Sequence, residues 1–330
     1  MTTSRPPSPS EKPSEQSEQI ATEEELRQKT AAIKEAIDKK DVEALRELAT
    51  SRDGLLSDDL RRDAWPILLG YDKDAFLLAR KEQGEDYWKT LPVHRDEEQV
   101  KLDVERAFVY YPKNLSPMAT KSLKSQLQTL ITIILRTHPS LNYFQGFHDI
   151  CQVLLLVLTL PDAIPAGQYL SLLLLRDFML PTLTPALSHL LLIPPLLEES
   201  DHELYTVLRD VKPYFALSAT LTLYSHEIRE YSHTTRLFDS LLAYGPGFSV
   251  YLFIKVLEAR KPEILELIDE LGAGDDVLGA VLGRWKGEGF LDLEGWVLGA
   301  KQLWQEHPME RLPAFRSIAG ASVLKKREGL

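Results

Sequence analysis

The chain has 330 residues, 44% of them hydrophobic and 26% charged, with a formal net charge of -11 at pH 7. Such a composition belongs to a globular protein able to bury a large core. The acidic balance argues against a nucleic-acid binder, whose affinity comes largely from Lys and Arg set on phosphates. The single cysteine, Cys151, lies in an apolar run, so no disulfide framework is possible and a reducing, cytosolic setting is expected.

Residues 1–21 are rich in Ser, Pro and Glu and lack an apolar signal region, so they are expected to be a disordered tail. At Thr22 the pattern T-E-E-E places Glu25 three residues on, a capping box that opens a first helix marked by Leu26, Ile33 and Ile37. Val42, Leu45 and Leu48 mark a second, short helix that stops near Gly54. In LLSDDLRRDAWPILLG, Ser57 can cap a third helix, expected to be interrupted at the Trp65-Pro66 step and to end by Gly70.

From Ser122 the residues Leu123, Leu127, Leu130, Ile131 and Ile134 form an apolar stripe at helical spacing that ends before Pro139. The region from Phe147 to Leu180 is apolar on more than one face, which suits the centre of a helical array. Its longest runs, ICQVLLLVLTL and YLSLLLLRDFML, are closed by Pro161 and by Arg176 and Asp177, short of the ~20 residues of a spanning helix. They are expected to be buried helices, and no membrane span is expected. Further helices are expected in PPLLEESDHELYTVLRDV, ALSATLTLYSHEIREYS, TTRLFDSLLAYG, PGFSVYLFIKVLEAR, KPEILELIDELG and LEGWVLGAKQLWQEHP. Period-two alternation is almost absent and no fixed-period repeat occurs, so the fold class is all-α, a multi-helix array without a sheet.

Eight histidines are scattered without an H-E-x-x-H or paired Cys/His spacing, so no metal site is expected. GAGDDVLGAVLG lacks the nucleotide-binding glycine spacing and reads as a turn before a helix. His148 beside Asp149 could relay protons, although a core or capping histidine is the commoner case. In VKLDVERAFVYYPKN, Asp103 and Arg106 stand three apart and share a face of a helix, where the carboxylate can hold the guanidinium. Most D-x-x-R pairs are plain surface ion pairs worth at most about 1 kcal/mol. This one has company in LRRDAWPILLG upstream and in the polar NYFQG, which sits between two apolar stretches.

Together these stretches resemble the three signature motifs of the TBC domain, a module that activates Rab GTPases. R-x-x-x-W is similar to Arg61 or Arg62 with Trp65. I-x-x-D-x-x-R is similar to Val100, Asp103 and Arg106, with Val in place of Ile. Y-x-Q-G is similar to Tyr143, Gln145 and Gly146. NYFQGFHDI, LLRDFMLPTL, YFALS and HTTRLFDSLLAYGP also resemble the endoplasmic-reticulum-associated branch typified by TBC family member 20 and its fungal relatives. That branch usually carries a C-terminal membrane anchor, and no such segment is read before Leu330.

The resemblance implies two packed helical lobes, with N-terminal helices over 22–56, the Rab-GAP TBC domain over 57–258, and a helical extension over 259–330 ending in the basic stub SVLKKREGL. It implies a partner, a GTP-loaded Rab of endoplasmic-reticulum-to-Golgi traffic, and an activator that is not an enzyme in its own right. The chain would hold no cofactor of its own, Mg-GTP being bound by the Rab. Arg106 would be an arginine finger and Gln145 a glutamine finger acting in trans. Asp103 would orient Arg106, Tyr143 would fix the loop, Gly146 would admit close backbone approach, and Asp149 would cap the helix beginning at Phe147. Arg62, Trp65 and Asp239 would be structural, a buried indole beside an arginine–carboxylate pair. The chain would be cytosolic, or at the cytosolic face of the endoplasmic reticulum or Golgi if it continues into an anchor. The alternative is an inactive Rab-binding tether or scaffold.

Overall fold

The computed structural model describes residues 22–84, 86–272, 274, 281 and 292–325. The expected tail over 1–21, most of GAGDDVLGAVLG and the end of the basic stub lie outside the described residues. Among the described residues the regular structure is helical and contains no strand.

Helix α1 (Glu23–Asp38) starts at the expected capping box, with Thr22 Oγ1 accepting from the Glu25 amide and Glu25 Oε2 accepting from the Thr22 amide at 2.7 Å. Asp41 caps α2 (Val42–Thr50), and Ser57 caps α3 (Asp58–Leu68). Helix α3 is not interrupted at Pro66. That proline sits in the last turn, where its missing N–H removes one bond while Trp65 remains fully buried. The helix ends at Leu68, and Gly70, with a φ of 77°, lets the Tyr71 amide donate back to the Pro66 carbonyl at 3.1 Å.

After α4 (Lys73–Gln83) comes the short α5 (Glu97–Val104), which packs on α6 (Pro117–Thr137). Helix α6 begins before the apolar stripe, with Ser116 as its cap and Pro117 in its first turn. Helix α7 (Phe147–Leu173) runs 27 residues, through Pro161 and Pro165. The stop expected at Pro161 falls two residues earlier, at Thr159 (φ 63°, ψ 165°), where the helix breaks and a second half begins. Pro161 then stands in the first turn of the second half, where a missing N–H breaks no bond. By length and hydropathy α7 could cross a membrane, yet 72% of its most apolar window is buried inside the protein.

The following segments form α8 (Thr184–Leu190), α9 (Ile193–Ser200), α10 (His202–Leu208) and α11 (Leu217–Leu221). Asp201 ends α9 and caps α10, accepting from the Leu204 amide at 3.0 Å, so the continuous helix expected there is two. The helix expected over ALSATLTLYSHEIREYS shortens to α11 and turns, because Leu223 and Tyr224 adopt positive φ. Tyr224 is buried there, its hydroxyl donating to the Ser249 carbonyl at 2.6 Å. Next come α12 (Tyr231–Tyr244), α13 (Phe248–Ala259), α14 (Lys261–Leu271), α15 (Leu293–Glu306) and α16 (Pro313–Ser317).

One cluster of buried side chains runs from Ile33 to Leu324. Two helices organise it. Helix α7 packs against α3, α4, α5, α6 and α12, and α13 packs against α9, α11, α12, α14 and α15. Gly167 lets α6 and α7 approach closely, since a Cβ there would lie 2.5 Å from Ile134 Cδ1. The N-terminus of α7 and the C-terminus of α5 thereby come to one face.

Candidate functional site

The structural pair comes first, because it holds α3 against α12. Asp239 is fully buried and accepts from Arg61 Nε at 3.0 Å, Arg61 Nη2 at 3.0 Å, Trp65 Nε1 at 2.8 Å and the Leu55 amide at 2.9 Å. The arginine of this network is Arg61, which corrects the expectation of Arg62. Arg61 is the one that stands four residues before Trp65, as R-x-x-x-W requires, and both it and Trp65 reach Asp239. Arg62 instead donates to the Val157 carbonyl at 2.8 Å and pairs with exposed Asp59. Arg236 belongs to a neighbouring pair with Glu294 at 2.6 Å.

Arg106 lies in the turn after α5, its side chain 66% exposed. Its Nη2 donates to Asp103 Oδ1 at 2.6 Å, and Asp103 is itself buried in the last turn of α5. Gln99 Nε2 donates to the same Oδ1 at 3.1 Å, and the Tyr143 hydroxyl donates to Oδ2 at 2.9 Å. Burial, reinforced by the Asp103 carboxylate, pushes the Tyr143 phenol far above its ordinary pKa, so it remains a donor. After the arginine the backbone turns through Phe108 at φ 61°, and its amide donates to Gln152 Oε1 of α7 at 2.8 Å.

Gln145 is exposed in the loop between α6 and α7. Polar contacts anchor this loop from behind. Asp96 Oδ2 accepts from the Tyr143 amide at 2.9 Å, the Met179 carbonyl accepts from the Asn142 amide at 2.7 Å, and His94 Nε2 lies 3.0 Å from the Leu141 carbonyl. Phe144 and Phe147 pack with ring centroids 5.6 Å apart. Gly146, at φ 107°, forms the N-cap of α7, and a Cβ on it would lie 2.6 Å from Thr222 Cγ2. Asp149 does not cap α7 with its side chain. It stands three residues after the Gly146 cap, at the third helical position, and its Oδ2 meets His226 Nδ1 at 2.9 Å.

Arg106 and Gln145 line one open cleft of about 220 Å³, together with His148, Asp149, Gln152 and His226. The structure therefore brings Asp103, Arg106, Tyr143, Gln145, Gly146 and Asp149 to one place, and sets Arg61, Trp65 and Asp239 in the core behind it. Sequence reading did not assign Gln99, Gln152 or His226 to this site. Gln99 stands four residues before Asp103 on α5, a helical spacing that could have found it, whereas Gln152 and His226 carry no spacing signal and meet the site only through the packing of α7 and of the turn before α12. The cleft offers one exposed guanidinium and one exposed carboxamide on a rigid wall, which suits an anionic ligand with a polar neighbour.

A family model described as the Rab-GTPase-TBC domain matches residues 58–265. The chain is 34% identical over 262 residues to the GTPase-activating protein gyp10 of Schizosaccharomyces pombe, covering 78% of this chain and 68% of that protein. It is 33% identical over 245 residues to TBC1 domain family member 20 of Homo sapiens, covering 73% of this chain and 59% of the human protein. The chain thus spans about three fifths of the mammalian relative's length. Among solved structures, the Ypt/Rab-GAP domain of Gyp1p superposes with a TM-score of 0.67 at 15% identity over 85% of this chain and 98% of that one. The flagellar RabGAP TBC domain of Chlamydomonas superposes at 0.59 with 14% identity, over 84% and 91% of the two chains. Motifs, helical architecture and kinship agree, and the chain belongs to the Rab-GTPase-TBC domain family.

Proposed function

We propose that this chain accelerates GTP hydrolysis by a Rab GTPase, inserting Arg106 and Gln145 into the nucleotide site of its partner. The observation that carries this reading is the shared cleft: both side chains are exposed and both line it, Arg106 held by buried Asp103 and the Gln145 loop held by Asp96 at the Tyr143 amide. Phosphoryl transfer from GTP to water spreads charge over the γ-phosphoryl oxygens and needs a water held in line. An arginine supplied in trans is worth about 10³–10⁵ in rate, or about 4–7 kcal/mol. Asp103 restricts the rotamers of Arg106 before the Rab arrives, which lowers the ordering cost of a flexible side chain. The carboxamide of Gln145 can accept from the attacking water and donate to its surroundings at once. Mg²⁺ and GTP come with the Rab, and this chain contributes side chains to the partner's reaction rather than turning over a substrate of its own.

The Rab is one of endoplasmic-reticulum-to-Golgi traffic, and the chain works at the cytosolic face of those membranes. What supports this is the likeness to TBC1 domain family member 20 and gyp10, together with the branch-specific passages around the Gln145 loop.

Single-turnover GTP hydrolysis across a panel of GTP-loaded Rabs tests the reading, with wild type, Arg106→Ala and Gln145→Ala side by side. Acceleration of one or a few Rabs is expected, with each variant lowering it at least a hundredfold. Arg106→Lys is expected not to rescue, because a compact ammonium lacks the planar fork. Binding of GTP-loaded Rab without acceleration by wild type would instead make the chain a tether.

A further inference from the structure

The hydrogen bonds around Asp103 give a role to a histidine that the proposed hydrolysis does not use. Asp103 is buried and takes three donors, Arg106 and Gln99 on one oxygen and the Tyr143 hydroxyl on the other. A phenol has one proton, and that of Tyr143 is committed to the carboxylate. Behind the phenol oxygen stands His148 Nδ1 at 3.1 Å, on the first turn of α7. With the phenol proton engaged, this contact is a hydrogen bond only when Nδ1 carries a hydrogen. The ring's other nitrogen, Nε2, faces Asp149 Oδ1 at 3.4 Å, longer than a good N–H···O bond. The imidazole is mostly buried and borders the cleft that Arg106 and Gln145 share.

We propose that His148 is a positioning residue for both side chains of the cleft, donating from Nδ1 to the Tyr143 oxygen so that Tyr143 stays on Asp103 and Asp103 on Arg106. Tyr143 belongs to the same short loop as Gln145, so one donor sets the arginine and the glutamine relative to each other. The kinetic part of this inference rests on the reading of Arg106 and Gln145 given above.

The groups facing the imidazole are Asp149 from its own helix, Asp103 and Arg106 from α5 and the turn after it, Tyr143 from the glutamine loop, and His226 from the turn before α12. Burial lowers its pKa below the ordinary histidine value, with the carboxylates of Asp149 and Asp103 opposing. Both the neutral Nδ1–H form and the imidazolium donate from Nδ1. Protonation therefore leaves the Tyr143 bond in place and adds a donor toward Asp149.

Two measurements test this. In protein labelled with ¹⁵N-histidine, long-range ¹H–¹⁵N spectra at pH 7.5 report which ring nitrogen bears hydrogen, and loss of one signal in His148→Asn assigns it. The Nδ1–H form is expected, against the usual preference of free imidazole for Nε2–H, and an Nε2–H form would overturn the proposal whether or not any Rab is activated. Kinetically, His148→Leu is expected to lower kcat about tenfold with KM changed less than about twofold. His148→Asn sets an amide nitrogen where Nδ1 stood and is expected to recover most of kcat, whereas His148→Gln reaches past that position and is not. Equal loss in the Asn and Gln variants, or wild-type kcat in the Leu variant, would sink the positioning role. If wild type accelerates no Rab, the functional reading fails while the tautomer still decides the Tyr143 contact. Should the Leu variant not fold, the contrast between Asn and Gln carries the kinetic test alone.

Discussion

At the scale of single residues, the cleft depends on backbone freedom at Gly146 as much as on the two exposed side chains. A φ of 107° is reached readily by glycine alone, and the place a Cβ would take is closed by Thr222 Cγ2 at 2.6 Å. Gly146→Ala is therefore expected to destabilise the protein by roughly 2–3 kcal/mol, adding the strain of a positive φ to a methyl clash. Rab activation should fall further than stability, because the displaced residue adjoins Gln145. Adding Thr222→Ser removes the clashing methyl and keeps the hydroxyl bond to the Ser218 carbonyl. The double variant should regain part of the lost stability in urea titrations, leaving the φ term. If Thr222→Ser recovers nothing, the clash is not the cause. Much at this scale was legible in the sequence. Asp103, Arg106, Tyr143 and Gln145 stand in motifs with fixed spacing, and Arg61 could have been preferred to Arg62 by asking which arginine lies four residues from a buried Trp65. His226 and Gln152 were not legible, since their neighbours come from elements distant in the chain.

At the scale of elements, Asp239 is the point where α3, α12 and the turn over 51–57 meet. It is fully buried with four donors around it, so Asp239→Ala leaves the Trp65 indole N–H without its acceptor and the Arg61 guanidinium with Asp58 alone, at 2.9 Å. Breaking a buried pair from one side costs about 3–5 kcal/mol, and a loss of that size is expected in urea denaturation. Asp239→Asn keeps the shape and some acceptor capacity and should lose less. A loss below about 1 kcal/mol in the Ala variant would mean that water replaces the carboxylate, contrary to its burial. The helices that sequence reading located well are those with a side-chain cap and a clear apolar stripe, such as α1, α2 and α6. It failed where tertiary contacts overrode local preference. The helix expected after α10 shortens to α11 and turns because Tyr224 is drawn into the core beside Ser249.

At the scale of the whole molecule, the chain's last described residues return to the region that holds the glutamine loop, and this link is sensitive to acid. Asp177 is almost fully buried between α7 and α8. It accepts from the Ser322 hydroxyl and from the Val323 amide at 3.2 Å, with His189 Nε2 at 2.9 Å. Two residues on, the Met179 carbonyl holds both the backbone and side-chain nitrogens of Asn142 in the loop that presents Gln145. Burial alone would raise the pKa of Asp177, but the bonds from His189, Ser322 and the Val323 amide outweigh it and hold the carboxyl below its ordinary value. A folded-state pKa depressed below the unfolded value of about 3.9 contributes stability that is fully present above that pH. The contribution is lost as pH falls through the folded value. Asp177→Ala should therefore be less stable than wild type at pH 7 and at pH 5, and the difference between their unfolding free energies should shrink below about pH 4. Amide exchange at Val323 should rise in the variant at neutral pH, and in wild type only under acid. The rise should spread to Asn142 if the segments form one cooperative unit. A stability difference that stays constant from pH 7 to pH 3 would show that Asp177 acts through packing alone, leaving the tail and the glutamine loop energetically independent.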